Sequence, residues 1–286
     1  SVIRCCSHIN DRRATMCDPV LISDTETVLE VGGVAEENVG NALSSLTLIE
    51  PGECISHVKR DHCSRCKRPV QVCWCRHLPA EKIVTSTRVI ILQHPNEEKR
   101  NVRTAPMLEA ALSNCVILRG RHFGRHPLMR EVYANMPHTF VLYPSVDAVD
   151  VEDLPTEEGF NLIVIDGTWN QAKSLYFANK ELHSLKKVKI NPTHPSYYVV
   201  RTQPHKACLS TVESVALAVS RLEGQPQLEL VLIKPLVAMC SYQIEHGAEK
   251  HDSKEEQILS GTFKKKIPKK IEHRIEQCKD FRSLLI

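Results

Sequence analysis

Residues 162–173 read Leu162-Ile163-Val164-Ile165-Asp166-Gly167-Thr168-Trp169-Asn170-Gln171-Ala172-Lys173. Four apolar residues followed by an aspartate, a glycine and a helix-like run predict a buried strand turning directly into a helix. A strand that is apolar throughout, with no alternation, belongs in a sheet covered on both faces, and such sheets are mostly parallel. In open α/β sheets ligands sit beyond the carboxyl ends of strands, which is where Asp166 stands. Gly167 would let backbone approach a ligand closely. Thr168 with Gln171 also fits a capping box that merely starts the helix, and the same box recurs at Ser210 and Glu213. Capping does not explain Trp169, so a functional site at this strand end competes with a structural reading.

The same alternation extends in both directions. Arg88–Gln93 reads as a buried strand, Asn101–Leu112 as a helix, and Val116–Leu118 and Thr139–Tyr143 as strands. Gly167–Ala178 reads as a helix, Val188–Ile190 as a strand, and Ser210–Leu222 as a strong helix with Val212, Val215, Ala216, Val219 and Leu222 on one stripe. Leu228–Leu232 is expected as a strand before a helix around Pro235–His246. The result is an α/β fold with a mostly parallel sheet. Polar residues punctuate the strand ends: Gln93-His94-Pro95, Tyr143-Pro144, and Arg201 with Gln203 in a proline-containing loop.

The chain has 286 residues with 42% apolar and 25% charged side chains. These values exclude a fibrous or largely disordered chain, and no apolar run is long enough to span a membrane. Net charge is only +3, but residues 1–56 sum to −6, 57–130 to +10 and 131–180 to −6. Segregated positive charge suits a polyanionic partner, although a solvated surface explains it equally well.

Twelve cysteines include four within one short stretch, Cys63-Ser-Arg-Cys66-Lys-Arg-Pro-Val-Gln-Val-Cys73-Trp-Cys75. Neither a secretory nor a transit-peptide pattern opens the chain, so a reducing cytosolic or nuclear setting is expected. A C-x2-C knuckle and a C-x-C pair offer four thiolates, which suit tetrahedral structural zinc with no open catalytic position. The competing reading is four free or redox-active thiols. The divisions expected are an acidic, poorly packed arm over 1–56, a zinc module over 57–80, a catalytic domain over 81–248 and a basic tail over 249–286.

These motifs together resemble the DTW-domain family. Asp166-Gly-Thr168-Trp169 matches its D-x-T-W signature. The cysteine cluster, Gln93-His94-Pro95 with Glu97 and Glu98, Tyr143-Pro144, Tyr198-x2-Arg201-x-Gln203-Pro204 and Leu209-Ser210-Thr211-x-Glu213 follow in the family's order. Residues 246–259 and the basic tail look most like the second eukaryotic paralogue. The resemblance covers about Cys63 to His246 and implies a SPOUT-like, knotted sheet carrying a tRNA-uridine aminocarboxypropyltransferase.

The implied donor is S-adenosylmethionine, cradled by Leu142, Tyr143, Pro144, Asp166, Gly167, Thr168, Leu209, Ser210 and Thr211. The implied acceptor is the imide nitrogen (N3) of a D-loop uridine, giving acp3U and 5′-methylthioadenosine. Asp166, Thr168 and Trp169 would form the catalytic group. Asp166 is expected either to take the imide proton or to hold the donor's ammonium, and both roles need a cavity beside it. Trp169 is expected to plug the core more than to stack on a base. Arg201 suits a phosphate or the donor's carboxylate. Arg100, Arg103, Arg201, Gln203, Lys264, Lys265, Lys266, Lys269 and Lys270 would form a tRNA track. Structural zinc on Cys63, Cys66, Cys73 and Cys75, a tRNA partner, no membrane, no obligate protein partner, and a location in cytoplasm and nucleus complete the expectation. The competing functions are a SPOUT-type RNA methyltransferase and a non-enzymatic zinc-knuckle RNA-binding adaptor.

Overall fold

In the computed structural model, the residues described are 3–4, 61–100, 102–156, 159–192, 194–204 and 207–264. The expected arm over 1–56 lies outside them except for Ile3–Arg4, as do the tail residues beyond Lys264.

Strands β2 (Arg88–Gln93), β3 (Cys115–Arg119), β4 (Thr139–Leu142), β5 (Val149–Asp150), β6 (Asn161–Asp166) and β7 (Lys186–Lys189) form one sheet. Its order is β3-β2-β6-β4-β7-β5 and every pairing is parallel. A two-residue strand β1 (Ile3–Arg4) pairs antiparallel with β8 (Cys208–Leu209). In the central pair, Gln93 lies in register with Asp166, so the two strands end together.

The uninterrupted apolar strands are explained by cover on both faces. Val89, Ile91, Leu162 and Val164 face one way, into a core shared with α1 (Ala105–Ala111), α4 (Thr211–Leu222) and α5 (Gln227–Glu245). Ile90, Leu92, Ile163 and Ile165 face the other, onto α2 (Pro127–Ala134) and α3 (Trp169–Ala178). Fully burying such a side chain contributes about 1.5–3 kcal/mol, so this strand pair is the sheet's main anchor.

One expected strand is replaced by a helix. Leu228–Leu232 belongs to α5, with Pro235 inside the helix. Its run of apolar residues reflects burial on several sides: Leu228, Leu232, Ile233 and Leu236 pack in the core with α4. The expected tail at 249 is also not a break. His251 N–H donates to Val199 O at 2.8 Å and Lys254 N–H to Gln203 O at 2.8 Å. These bonds seat a short α6 (Lys254–Leu259), capped by Ser253 and Glu256, against the loop before β8.

Candidate active site

The ends of β2 and β6 and the start of α4 meet at one carboxylate. Asp166 Oδ2 accepts from Gln93 Nε2 at 2.8 Å, and Oδ1 accepts from Thr211 Oγ1 at 2.6 Å. Its backbone oxygen accepts from His94 N–H at 2.9 Å. Asp166 is 3% exposed. It therefore lies beneath the sheet edge, and both carboxylate oxygens are turned inward onto protein donors. The expectation of an Asp166 open to a cavity changes accordingly. Two hollows, of about 350 and 660 Å³, lie on α5 and neither is lined by Asp166. A buried carboxylate is stable only when its acceptors are satisfied, and Gln93 and Thr211 supply that satisfaction.

The next turn is set by the capping box. Gln171 N–H donates to Thr168 Oγ1 at 3.4 Å, while Thr168 N–H donates to Gln171 Oε1 at 2.7 Å. Gly167 serves this box. A Cβ there would meet Gln171 Cβ at 3.0 Å and Oε1 at 3.3 Å, tighter than ordinary contact, so the glycine leaves room for the return of the capping side chain. Trp169 opens α3 and is half-buried, outside both core clusters, which corrects the expected core plug. Its ring stacks on Tyr143 at 5.7 Å, and Tyr143 stacks on Tyr176 at 4.2 Å with their planes 10° apart. Leu142 is buried in β4, and Tyr143 and Pro144 are half-buried just after it.

Ser210, Thr211 and Leu209 are fully buried, and Glu213 organises this stretch. Its Oε2 accepts from Ser210 N–H at 2.7 Å, Ser210 Oγ at 2.6 Å and Ser196 Oγ at 2.8 Å. Its Oε1 accepts from Tyr197 N–H at 2.6 Å. One carboxylate thus joins the loop at 196–197 to the residue that precedes Thr211.

The expected basic residues divide into two groups. Arg100 Nε lies 2.9 Å from Glu97 Oε1. Tyr198 donates its hydroxyl to Val102 O at 2.8 Å. Burial pushes the Tyr198 hydroxyl up to about 12, with the Arg201 and Arg100 guanidiniums pulling the other way. Arg100 and Arg201 therefore both act electrostatically on the Tyr198 hydroxyl. Gln203 is buried nearby, and both its amide atoms lack partners among the described residues. Arg103 is half-buried and Lys264 exposed. Lys265, Lys266, Lys269 and Lys270 lie outside the described residues.

The four expected cysteines come together, with all sulfurs within 4.8 Å of one another. Cys63 and Cys75 sulfurs are 3.8 Å apart, and Cys66 and Cys73 sulfurs 3.6 Å. Zinc–sulfur bonds of about 2.3 Å in a tetrahedron require about 3.8 Å between sulfurs, so the set fits the ion. Lys67 has a φ of 61°, which turns the C-x2-C knuckle tightly. Trp74, between the second pair, is 4% exposed and joins the core with α5.

The DTW domain family matches residues 60–244. The chain belongs to that family. It is 41% identical over 218 residues to a fruit-fly protein named tRNA-uridine aminocarboxypropyltransferase 2, covering 74% of this chain and 87% of that one. It is 37% identical over 246 residues to the macaque protein of the same name, covering 84% and 80%. An Arabidopsis protein named tRNA-uridine aminocarboxypropyltransferase A is 28% identical over 218 residues, covering 66% and 83%. No solved structure matches. The DTW domain holds the cysteine cluster and the Asp166 and Tyr198 groups, whereas α6 and Lys264 lie beyond the match.

Gln93, Glu213 and Tyr198 are the contributors whose roles the sequence did not disclose. Gln93 stood visibly at a strand end, but its pairing with Asp166 needs the register of two strands far apart in sequence.

Proposed function

We propose that this DTW-domain chain transfers the 3-amino-3-carboxypropyl group of S-adenosylmethionine to N3 of uridine in the tRNA D-loop, forming acp3U and releasing 5′-methylthioadenosine. The observation that carries this reading is the similarity to the fruit-fly transferase over most of both chains. Two atoms at the sheet edge support a polar occupant. Gln93 Oε1 and Trp169 Nε1 are buried without a partner among the described residues. Orphaned buried groups carry a desolvation cost of about 1–3 kcal/mol each. An acceptor and a donor left open beside the D-x-T-W turn fit the ammonium and the carboxylate of an amino-acid arm.

When bound, S-adenosylmethionine supplies a sulfonium whose three carbons are all open to displacement. The chain's own task is positioning, because only the carbon that faces the base reacts. Leu142, Tyr143 and Pro144 after β4, Gly167 and Thr168 after β6, and Leu209, Ser210 and Thr211 before α4 form the proposed cradle. Tyr143, Pro144, Thr168 and Trp169 are its half-buried members, and the others are buried. Asp166 acts from below: through Thr211 and Gln93 it fixes where α4 begins and how the Gln93 amide points. Arg100, Arg103, Arg201 and Gln203 are the proposed RNA contacts in the described part, continued by Lys264 and the basic residues after it. Cys63, Cys66, Cys73 and Cys75 hold structural zinc in this reading. The sheet is proposed to be of the SPOUT-like, knotted kind, with the divisions at 57–80, 81–248 and 249–286 as functional rather than structural units. Cytoplasm and nucleus are the proposed locations.

The test is to incubate the protein with undermodified tRNA and S-adenosylmethionine, digest, and identify the nucleoside by mass. Aminocarboxypropyl-uridine is expected. A methylated uridine would make the chain a methyltransferase, and unmodified RNA with no donor binding would make it an adaptor.

A further inference from the structure

The outward face of α5 carries a groove that borders the Tyr198 loop and the cysteine module but is lined by none of the expected site residues. Two hollows of about 660 and 350 Å³ share Tyr197, Val237 and Ser241, so the surface is continuous. Its floor is apolar, with Leu230 62% and Val237 40% exposed. Tyr197 is 39% exposed at its edge. Its rim is basic. Lys234 and Lys250 line it, and the Arg76 guanidinium lies 6.0 Å from the centre of the Tyr242 ring. Glu245 is the only carboxylate among its described lining residues, and Glu229 pairs with the lining His194 at 3.0 Å.

We infer that this groove takes an unpaired nucleotide of the RNA, with its base against Tyr197 and the apolar floor and its phosphates on Lys234, Lys250 and Arg76. This inference rests on the tRNA reading above. Charge complementarity selects the occupant. An apolar floor under lysines suits a ligand that is flat and apolar in its centre and anionic at its edges. A second copy of the chain packed face to face would bring the same lysines onto themselves, which costs free energy.

Tyr197 is also held firmly enough to serve as a platform. Its N–H and the Ser196 hydroxyl are both bound to buried Glu213, the carboxylate that caps α4 beside Thr211. A stacking surface on a fixed backbone loses little freedom on binding. The groove and the D-x-T-W edge therefore share one fastening point, although they lie on different parts of the surface.

The experiment uses the full zinc-loaded chain, an unmodified tRNA transcript and two variants, Tyr197→Leu and Lys234→Ala, with melting temperatures as the fold control. Fluorescence anisotropy gives tRNA affinity at several salt concentrations, and calorimetry gives S-adenosylmethionine affinity separately. Tyr197→Leu is expected to weaken tRNA binding about tenfold, the effect of losing one stacked base. Lys234→Ala is expected to flatten the plot of log affinity against log salt by about one unit. Donor affinity stays unchanged in both. Affinity and slope within twofold of wild type in both variants overturn the inference. So does a change of oligomeric state in either variant, which would make the face a contact between copies. Failure of the wild-type chain to bind tRNA at all would instead remove the reading on which the groove rests.

Discussion

Replacing Glu213 with glutamine tests the fastening point directly. The carboxylate is 2% exposed and accepts four hydrogen bonds, three on Oε2 and one on Oε1. Glutamine keeps one acceptor oxygen. If that oxygen takes the place of Oε2, the new NH2 group faces the Tyr197 N–H. If it takes the place of Oε1, the NH2 group faces the Ser210 N–H. Either way one buried backbone donor loses its acceptor, at about 1–3 kcal/mol. The surviving bonds also lose their charge, worth roughly another 1 kcal/mol together after the easier burial of a neutral group. The expected loss is about 2–4 kcal/mol. For a domain of this size each kcal/mol moves the melting temperature by about 2–4 °C, so a drop of roughly 5–15 °C is expected. Urea denaturation of zinc-saturated protein should show a lower midpoint with an unchanged slope. A loss below about 0.5 kcal/mol would refute the account, because it would mean that the four short bonds carry no net stability.

Three further outcomes follow from other sites. Asp166→Asn turns an acceptor into a donor toward Gln93 or Thr211, and should reduce aminocarboxypropyl transfer by at least a hundredfold while the zinc content stays the same; wild-type rates in single-turnover assays would exclude Asp166 from the site's assembly. Glu223 is pushed up by burial, but the hydrogen bonds from Thr87 and Ser86 outweigh this and leave its carboxyl below the usual range. Its contribution is therefore present above its unfolded pKa of about 4.5 and lost as pH falls through the lower folded value, so Glu223→Gln should be less stable at pH 7 and show a flatter acid limb in denaturation midpoints. Cys66→Ser should abolish stoichiometric zinc by atomic absorption and shift Trp74 fluorescence toward the solvent-exposed value; retained metal would count against the four-sulfur site.

The sheet was legible because its central strands are apolar without alternation, and both faces of Arg88–Gln93 and Asn161–Asp166 are indeed covered. The helix at Thr211–Leu222 was legible from its stripe and capping box. Leu228–Leu232 misled for the reason that made β6 clear. A short apolar run reads alike in a buried strand and in a helix buried on several sides, and Pro235 suggested a boundary where the chain continues helical. The four cysteines were legible because metal spacing is local. The partners of Asp166 were not, since Gln93 and Thr211 stand 73 and 45 residues away and meet it only through strand register. The capping box at Ser210 was visible, but not that its glutamate also carries Ser196 and Tyr197.

In the proposed zinc reading, the indole between Cys73 and Cys75 ties metal supply to the fate of the whole chain. Two of the four thiolates that would hold the ion, Cys73 and Cys75, are the immediate neighbours of a side chain wedged against α5. A newly made polypeptide without zinc would leave that wedge unseated and an oily surface open to proteases and chaperones. Scarcity of the metal would then lower the amount of enzyme in the cell rather than fill it with intact but idle copies.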